Sequence, residues 1–136
     1  MANRFFNQFG KTMEKEVVSL FLHATFGASG AVTLDAVNSK GICAITKIGT
    51  GGYRIQFGTT PASLDVYYKF FAALPSFKTV GGSPAAAPDM YIVDLKHNVV
   101  GSCYIDVQFV NGGVSTNPAS GEELYMEIKL GNSSAQ

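Results

Sequence analysis

Ile42-Cys-Ala-Ile-Thr-Lys-Ile48, Gly49-Thr-Gly-Gly52 and Tyr53-Arg-Ile-Gln-Phe57 run on without interruption, and their reading decides the fold. The first segment is rich in β-branched side chains, which suit a pleated, half-buried backbone. The middle segment is turn chemistry, since glycine enters backbone regions closed to other residues. In the third, Tyr53, Ile55 and Phe57 alternate with Arg54 and Gln56, the period of a strand with one buried face. Strand, glycine turn and strand predict a β-hairpin.

The same period extends in both directions. Val18, Leu20, Leu22, Ala24 and Phe26 alternate with Ser19, His23 and Thr25, and Gly27-Ala-Ser-Gly30 breaks the run. Met90–Lys96 is a further strand candidate. In Gly101–Val110, Cys103, Ile105, Val107 and Phe109 alternate with polar residues and Tyr104. Asn111–Gly121 reads as a long polar loop. Leu124, Met126, Ile128 and Leu130 mark the last strand, and Gly131–Gln136 a polar tail. Val66–Leu74 is different: Val66, Tyr68, Phe70, Ala72 and Leu74 share one face, and Tyr67, Lys69, Phe71 and Ala73 the other. Two apolar faces predict a central strand, or one whose second face meets another chain. Gly81–Pro88 is a loop bracketed by Pro84 and Pro88. The sum is an all-β chain, an antiparallel β-sandwich or flattened barrel of about seven strands joined mainly by hairpins. Residues 16–136 form the β domain, and residues 1–15 a short N-terminal arm.

The chain has 136 residues, enough to bury roughly two-thirds of its unfolded surface without metal or disulfide. Charged residues make up 15%, against about 25% in ordinary domains, and ten basic side chains balance ten acidic ones. Nucleic acid is therefore not an expected partner, because phosphate binding needs clustered Lys and Arg. No apolar run reaches the ~18 residues of a membrane span. Val17–Phe26 imitates a signal peptide, but Glu14, Glu16 and His23 spoil the pattern, so it reads as a strand in a cytosol-made protein. Cys43 and Cys103 read as buried thiols.

The arm carries Phe5, Phe6 and Phe9. A short helix would place Phe5 and Phe9 on one side, too short to stand alone, so these rings must pack on their own domain or on a neighbour. Phe5, Phe6, Phe9, Tyr67, Lys69 and Phe71 are the candidate protein–protein interface.

Chemistry-bearing constellations are sparse. His23 and His97 have no metal-ligand spacing around them, so no metal or cofactor is expected; His23 reads as a satisfied or surface histidine. Glu122 and Glu123 are adjacent on a strand and point to opposite faces. Asp94 and Asp106 lie on different strands and are able to face each other, yet read more naturally as solvated. Ser29 lacks the strand–turn–helix context of a nucleophile elbow. No catalytic residue is expected, and the chain reads as a non-enzyme.

Several turn phrases taken in order carry a resemblance. They are Leu20-Phe21 leading to Phe26-Gly-Ala-Ser-Gly-Ala31, then Thr33-Leu34, Ser39-Lys-Gly-Ile42, Gly49-Thr-Gly-Gly-Tyr53 and Asn117-Pro-Ala-Ser-Gly-Glu122. Over residues 16–58 and 100–130 the chain resembles small β-rich virion structural proteins of tailed bacteriophages, most of all capsid decoration (cement) proteins; over 60–98 the likeness is weaker. The resemblance implies a homo-oligomer, a trimer by preference, that clamps neighbouring major capsid protein subunits on the capsid exterior of a virion assembled in the bacterial cytoplasm. A tail or head-fibre base component is an alternative. A carbohydrate-binding module is another, with Tyr53, Tyr67, Tyr68, Tyr91, Tyr104 and Tyr125 as candidate sugar platforms.

Overall fold

The structure, a computed structural model, describes residues 17–58, 69–80, 88–96 and 103–131. The strands are β1 (Val17–Phe26), β2 (Val32–Leu34), β3 (Ile42–Gly49), β4 (Gly52–Phe57), β5 (Lys69–Lys78), β6 (Asp89–Lys96), β7 (Tyr104–Asn111), β8 (Val114–Ser115) and β9 (Glu123–Gly131). They form two antiparallel sheets packed as a sandwich. The first has the order β2-β1-β9-β5; the second has β3-β4-β7-β6, with β8 paired to β7. Among the described residues seven strands are long and two, β2 and β8, are short.

Alternation sets which face goes in. Leu20, Leu22, Ala24 and Phe26 of β1 meet Leu124, Met126, Ile128 and Leu130 of β9 in the first layer. Tyr53, Ile55, Phe57, Ile105, Val107 and Phe109 line the second. The centre is aromatic. Phe109 meets Phe26 edge-on at 5.6 Å and Tyr53 at 5.7 Å between ring centres, and Phe77 also lies against it at 5.6 Å.

The predicted hairpin is present as β3–β4, and its turn shows why glycine stands there. Gly51 has φ +70°, and a Cβ on it would lie 2.6 Å from the Phe109 carbonyl. Its amide donates to Asn117 Oδ1 (2.7 Å), and its carbonyl accepts from the Phe109 amide (2.8 Å). Gly30 is similar: its carbonyl accepts a 2.6 Å bond from the buried Tyr53 hydroxyl, and at φ +74° a Cβ would lie 2.7 Å from that oxygen. Burial pushes the Tyr53 phenol up to about 12, so it stays a donor.

Three expectations need correction. First, the strand predicted over Val66–Leu74, whose residues 66–68 lie outside the described ones, runs on through Pro75 to Lys78. Among the described residues it is an edge strand, not a central one. An edge position tolerates proline, which has no N–H to give to a neighbour. A bulge between Phe70 and Ala72 also breaks the expected faces, so that Phe70, Ala73 and Phe77 turn to the core and Leu74 turns out. Second, hairpins are not the whole connectivity. β1 pairs with β9, and β4 with β7, joining strands far apart in sequence. Third, Asp106 is 5% exposed and not solvated. Cys43 is half-buried and Cys103 buried, and they form no disulfide. Desolvation raises the Cys43 thiol above its ordinary value, which makes it a poor nucleophile.

Candidate functional site

The outer face of the first sheet is laid out in cross-strand rows. Thr25, Glu123 and Lys78 form one row, His23, Tyr125 and Ser76 the next, and Phe21, Glu127 and Leu74 the third. The β2–β3 loop adds Asp35 and Asn38 beside β1. It is tied down by the Asp35 amide donating to the His23 carbonyl (2.9 Å) and the His23 amide donating to Ser39 Oγ (3.0 Å).

His23 is clamped between two carboxylates. Nδ1 lies 2.8 Å from Asp35 Oδ2, and Nε2 lies 2.9 Å from Glu123 Oε1. Lys78 Nζ reaches the other oxygen of Glu123 at 2.9 Å. The Asp35 carboxylate also accepts from the amides of Val37 and Asn38 and from Asn38 Nδ2. The sequence reading of His23 as a satisfied histidine therefore holds, with partners 12 and 100 residues away.

Burial by itself lowers the tendency of His23 to hold a proton. The hydrogen bonds to Glu123 and Asp35 outweigh it, and the imidazolium is held above its ordinary value of 6.5. Asn38 first and His23 second draw Asp35 down to about 2. Lys78 first and His23 second hold Glu123 below its usual range. A raised histidine contributes stability that is complete below pH 6.5 and is lost as pH rises through the higher folded value. The lowered carboxylates contribute above their ordinary 3.8 and 4.5 and lose it as pH falls through the folded values. Thermal unfolding from pH 4 to 9 is expected to show a decline as pH rises above 6.5 that His23→Gln flattens. An unchanged slope in His23→Gln would remove the clamp as its source.

The Tyr125 ring stacks on the imidazole at 4.3 Å and 10°. Both Tyr125 and Phe21 are 43% exposed. With Asn38, Leu74, Ser76 and Glu127 they line an open concavity of about 640 Å³. Its lining mixes apolar surface with hydrogen-bonding groups, and His23 on one edge is held by Asp35 and Glu123.

The second sheet has a tighter polar cluster. Arg54 donates to Asp106 through Nε (2.8 Å) and Nη2 (2.9 Å) and lies 3.8 Å above the Tyr104 ring. Asp94 is opposite Asp106 across β6–β7, as the sequence allows, but accepts from the Tyr104 hydroxyl at 2.9 Å. That bond first, and the Leu95 amide second, keep Asp94 below its usual range. Each carboxylate is thus committed to a neighbour, an arrangement that braces three strands. Among the described residues no group of three or more His, Cys, Asp or Glu is placed to hold a metal, and no helix is long and apolar enough to cross a membrane.

Among the described residues β5 and β6 are each the end strand of their sheet, and both carry exposed apolar side chains. Phe71, at the β5 bulge, is 53% exposed, and Tyr91, Ile92 and Val93 are all exposed in succession on β6. Of the predicted interface residues, Phe71 is exposed at the β5 bulge, between Phe70 and Ala72. Lys69 begins β5 opposite Gly131, while Phe5, Phe6, Phe9 and Tyr67 lie outside the described residues. Among the tyrosines, Tyr53 and Tyr104 are buried, Tyr91 and Tyr125 are exposed, and Tyr67 and Tyr68 lie outside the described residues. The sequence gives no sign of the His23 clamp or of the Phe21–Tyr125 concavity, because both are assembled across β1, β9 and a loop. Compared with known protein families, curated proteins and solved structures, the chain finds no match.

Proposed function

We propose that the protein is a phage capsid decoration protein, which self-associates and clamps neighbouring major capsid protein subunits to strengthen the shell. The observation that carries this reading is exposed apolar surface on the two end strands, Phe71 on β5 and Tyr91, Ile92 and Val93 on β6. A strand edge with exposed apolar side chains is a template for binding protein. The near-neutral charge suits protein contacts, and the turn-phrase resemblance supplies the partner. Repeated moderate contacts over a symmetric lattice add up through avidity.

The test combines light scattering with co-sedimentation on shells stripped of this protein. The expected result is a defined oligomer that pellets with shells, with Phe71→Asp weakening one or both. A strictly monomeric chain that stays in the supernatant overturns the reading. Cryo-EM density over the whole shell supports decoration, whereas density at a single vertex replaces it with a tail or head-fibre role.

The concavity on the first sheet favours a second reading, a carbohydrate-binding module. Exposed rings beside Asn38, Ser76 and Glu127 match the needs of a sugar, which presents apolar faces and hydroxyl edges. Glycan-array binding lost in Tyr125→Ala would establish it, and a blank array with the wild-type chain would end it.

A further inference from the structure

We infer that β6 pairs with β6 of a second copy, antiparallel about a two-fold axis, in the register that sets Asp89 of each chain against Lys96 of the other. The inference rests on the self-association reading and gives it a two-fold contact, which makes a dimer in place of the trimer that the resemblance implies.

One edge of β6 is taken by β7, and among the described residues no strand lies along the other. The Leu95 amide, for example, donates to its neighbour's carboxylate, Asp94 Oδ1, at 2.8 Å. An open edge with exposed apolar residues is a template for another strand. Its charges identify which strand. Residues directly opposite in an antiparallel pair point to the same side, and opposite charges there attract.

The partners of β6 on β7 show its faces. Asp89, Tyr91, Asp94 and Lys96 stand opposite Val110, Gln108, Asp106 and Tyr104 on the outer side. Met90, Ile92 and Leu95 stand opposite Phe109, Val107 and Ile105 on the inner side. A bulge at Val93, between Ile92 and Asp94, shifts the alternation by one. The strand therefore presents the same order of faces read from either end. Antiparallel self-pairing then sets Asp89 against Lys96, Met90 against Leu95 and Tyr91 against Asp94, with Ile92 against Val93 in the middle. Each pair occurs twice by symmetry. Sliding the register by one residue in either direction puts inner residues against outer ones beyond the bulge and leaves both aspartates and Lys96 without their complements. An unbulged eight-residue strand would not permit this register. The bulge, which commonly blunts an edge against arbitrary partners, here selects one. The two second sheets become one continuous sheet across the axis, and the apolar residues at the centre of β6 are covered.

The test uses the full chain. Light scattering over a concentration series compares wild type with Lys96→Glu, Asp89→Lys and the double swap, with circular dichroism reporting the fold of each. Two facing like-charge pairs are expected to weaken association about tenfold in either single variant, and the double swap is expected to restore it. A second measurement reads the register: Asp89→Cys and Lys96→Cys chains are mixed and oxidised. A disulfide-linked dimer is expected in the mixture and in neither chain alone. If the wild-type chain is an oligomer yet both measurements are flat, β6 pairing is overturned and self-association stands. If the wild-type chain is monomeric at 100-fold the working concentration, both fall.

Discussion

Phe109→Ala is expected to cost about 3–5 kcal/mol of stability, the largest loss from any single truncation considered. Phe109 is 1% exposed, and its ring contacts Phe26, Tyr53 and Phe77, which come from β1, β4 and β5. Those strands belong to both sheets, so the cavity would open where the layers meet, and no single neighbour is free to fill it. Edge-to-face ring contacts are lost as well as buried area. Domains of this size are stable by about 5–15 kcal/mol, so the variant would stand near the limit of folding. Urea unfolding should show a lower midpoint with an unchanged slope. A loss under about 1 kcal/mol would mean that the aromatic centre is not close-packed.

Arg54→Ala is expected to cost about 2–4 kcal/mol. Asp106 lies on β7 between β4 and β6, and Arg54 covers it with two parallel hydrogen bonds while its guanidinium spans Tyr104. Removing the arginine leaves a carboxylate with little access to water and strips Tyr104 of its cover. Arg54 itself is partly exposed, which moderates the loss by letting water reach the carboxylate. Arg54→Lys should recover only part, because an ammonium cannot supply the bidentate geometry. Arg54→Met with Asp106→Leu is expected to cost less than Arg54→Ala alone, since no charge is then left unpaired. Equal losses in the single and double variants would show that the pair contributes through packing and not through charge.

Much of the architecture is legible in residue order. The alternations in β1, β4, β7 and β9 name the inward side chains correctly, and the glycine turn at 49–52 produces the hairpin it promises. These succeed because a period of two is a local property and because φ above zero is a local demand that glycine meets. At β5 the same reasoning fails. The bulge at Phe71 reverses the alternation, and the strand drawn only to Leu74 continues through Pro75, which an edge position tolerates. At β7 the polar alternation is real, yet Tyr104 and Asp106 are buried on the outer face because Arg54 of β4 lies over them.

Residue order thus settles strand content, turns and most of the apolar interior, because each follows from the conformational limits and water affinity of residues close together in the chain. The pairing of β1 with β9, the clamp that brings Glu123 to His23, the concavity beside Tyr125 and the palindromic faces of β6 arise only when distant strands become neighbours. Alternation states which side of a strand is greasy and is silent about which strand lies next to it. That choice is made by the packing of the whole sandwich.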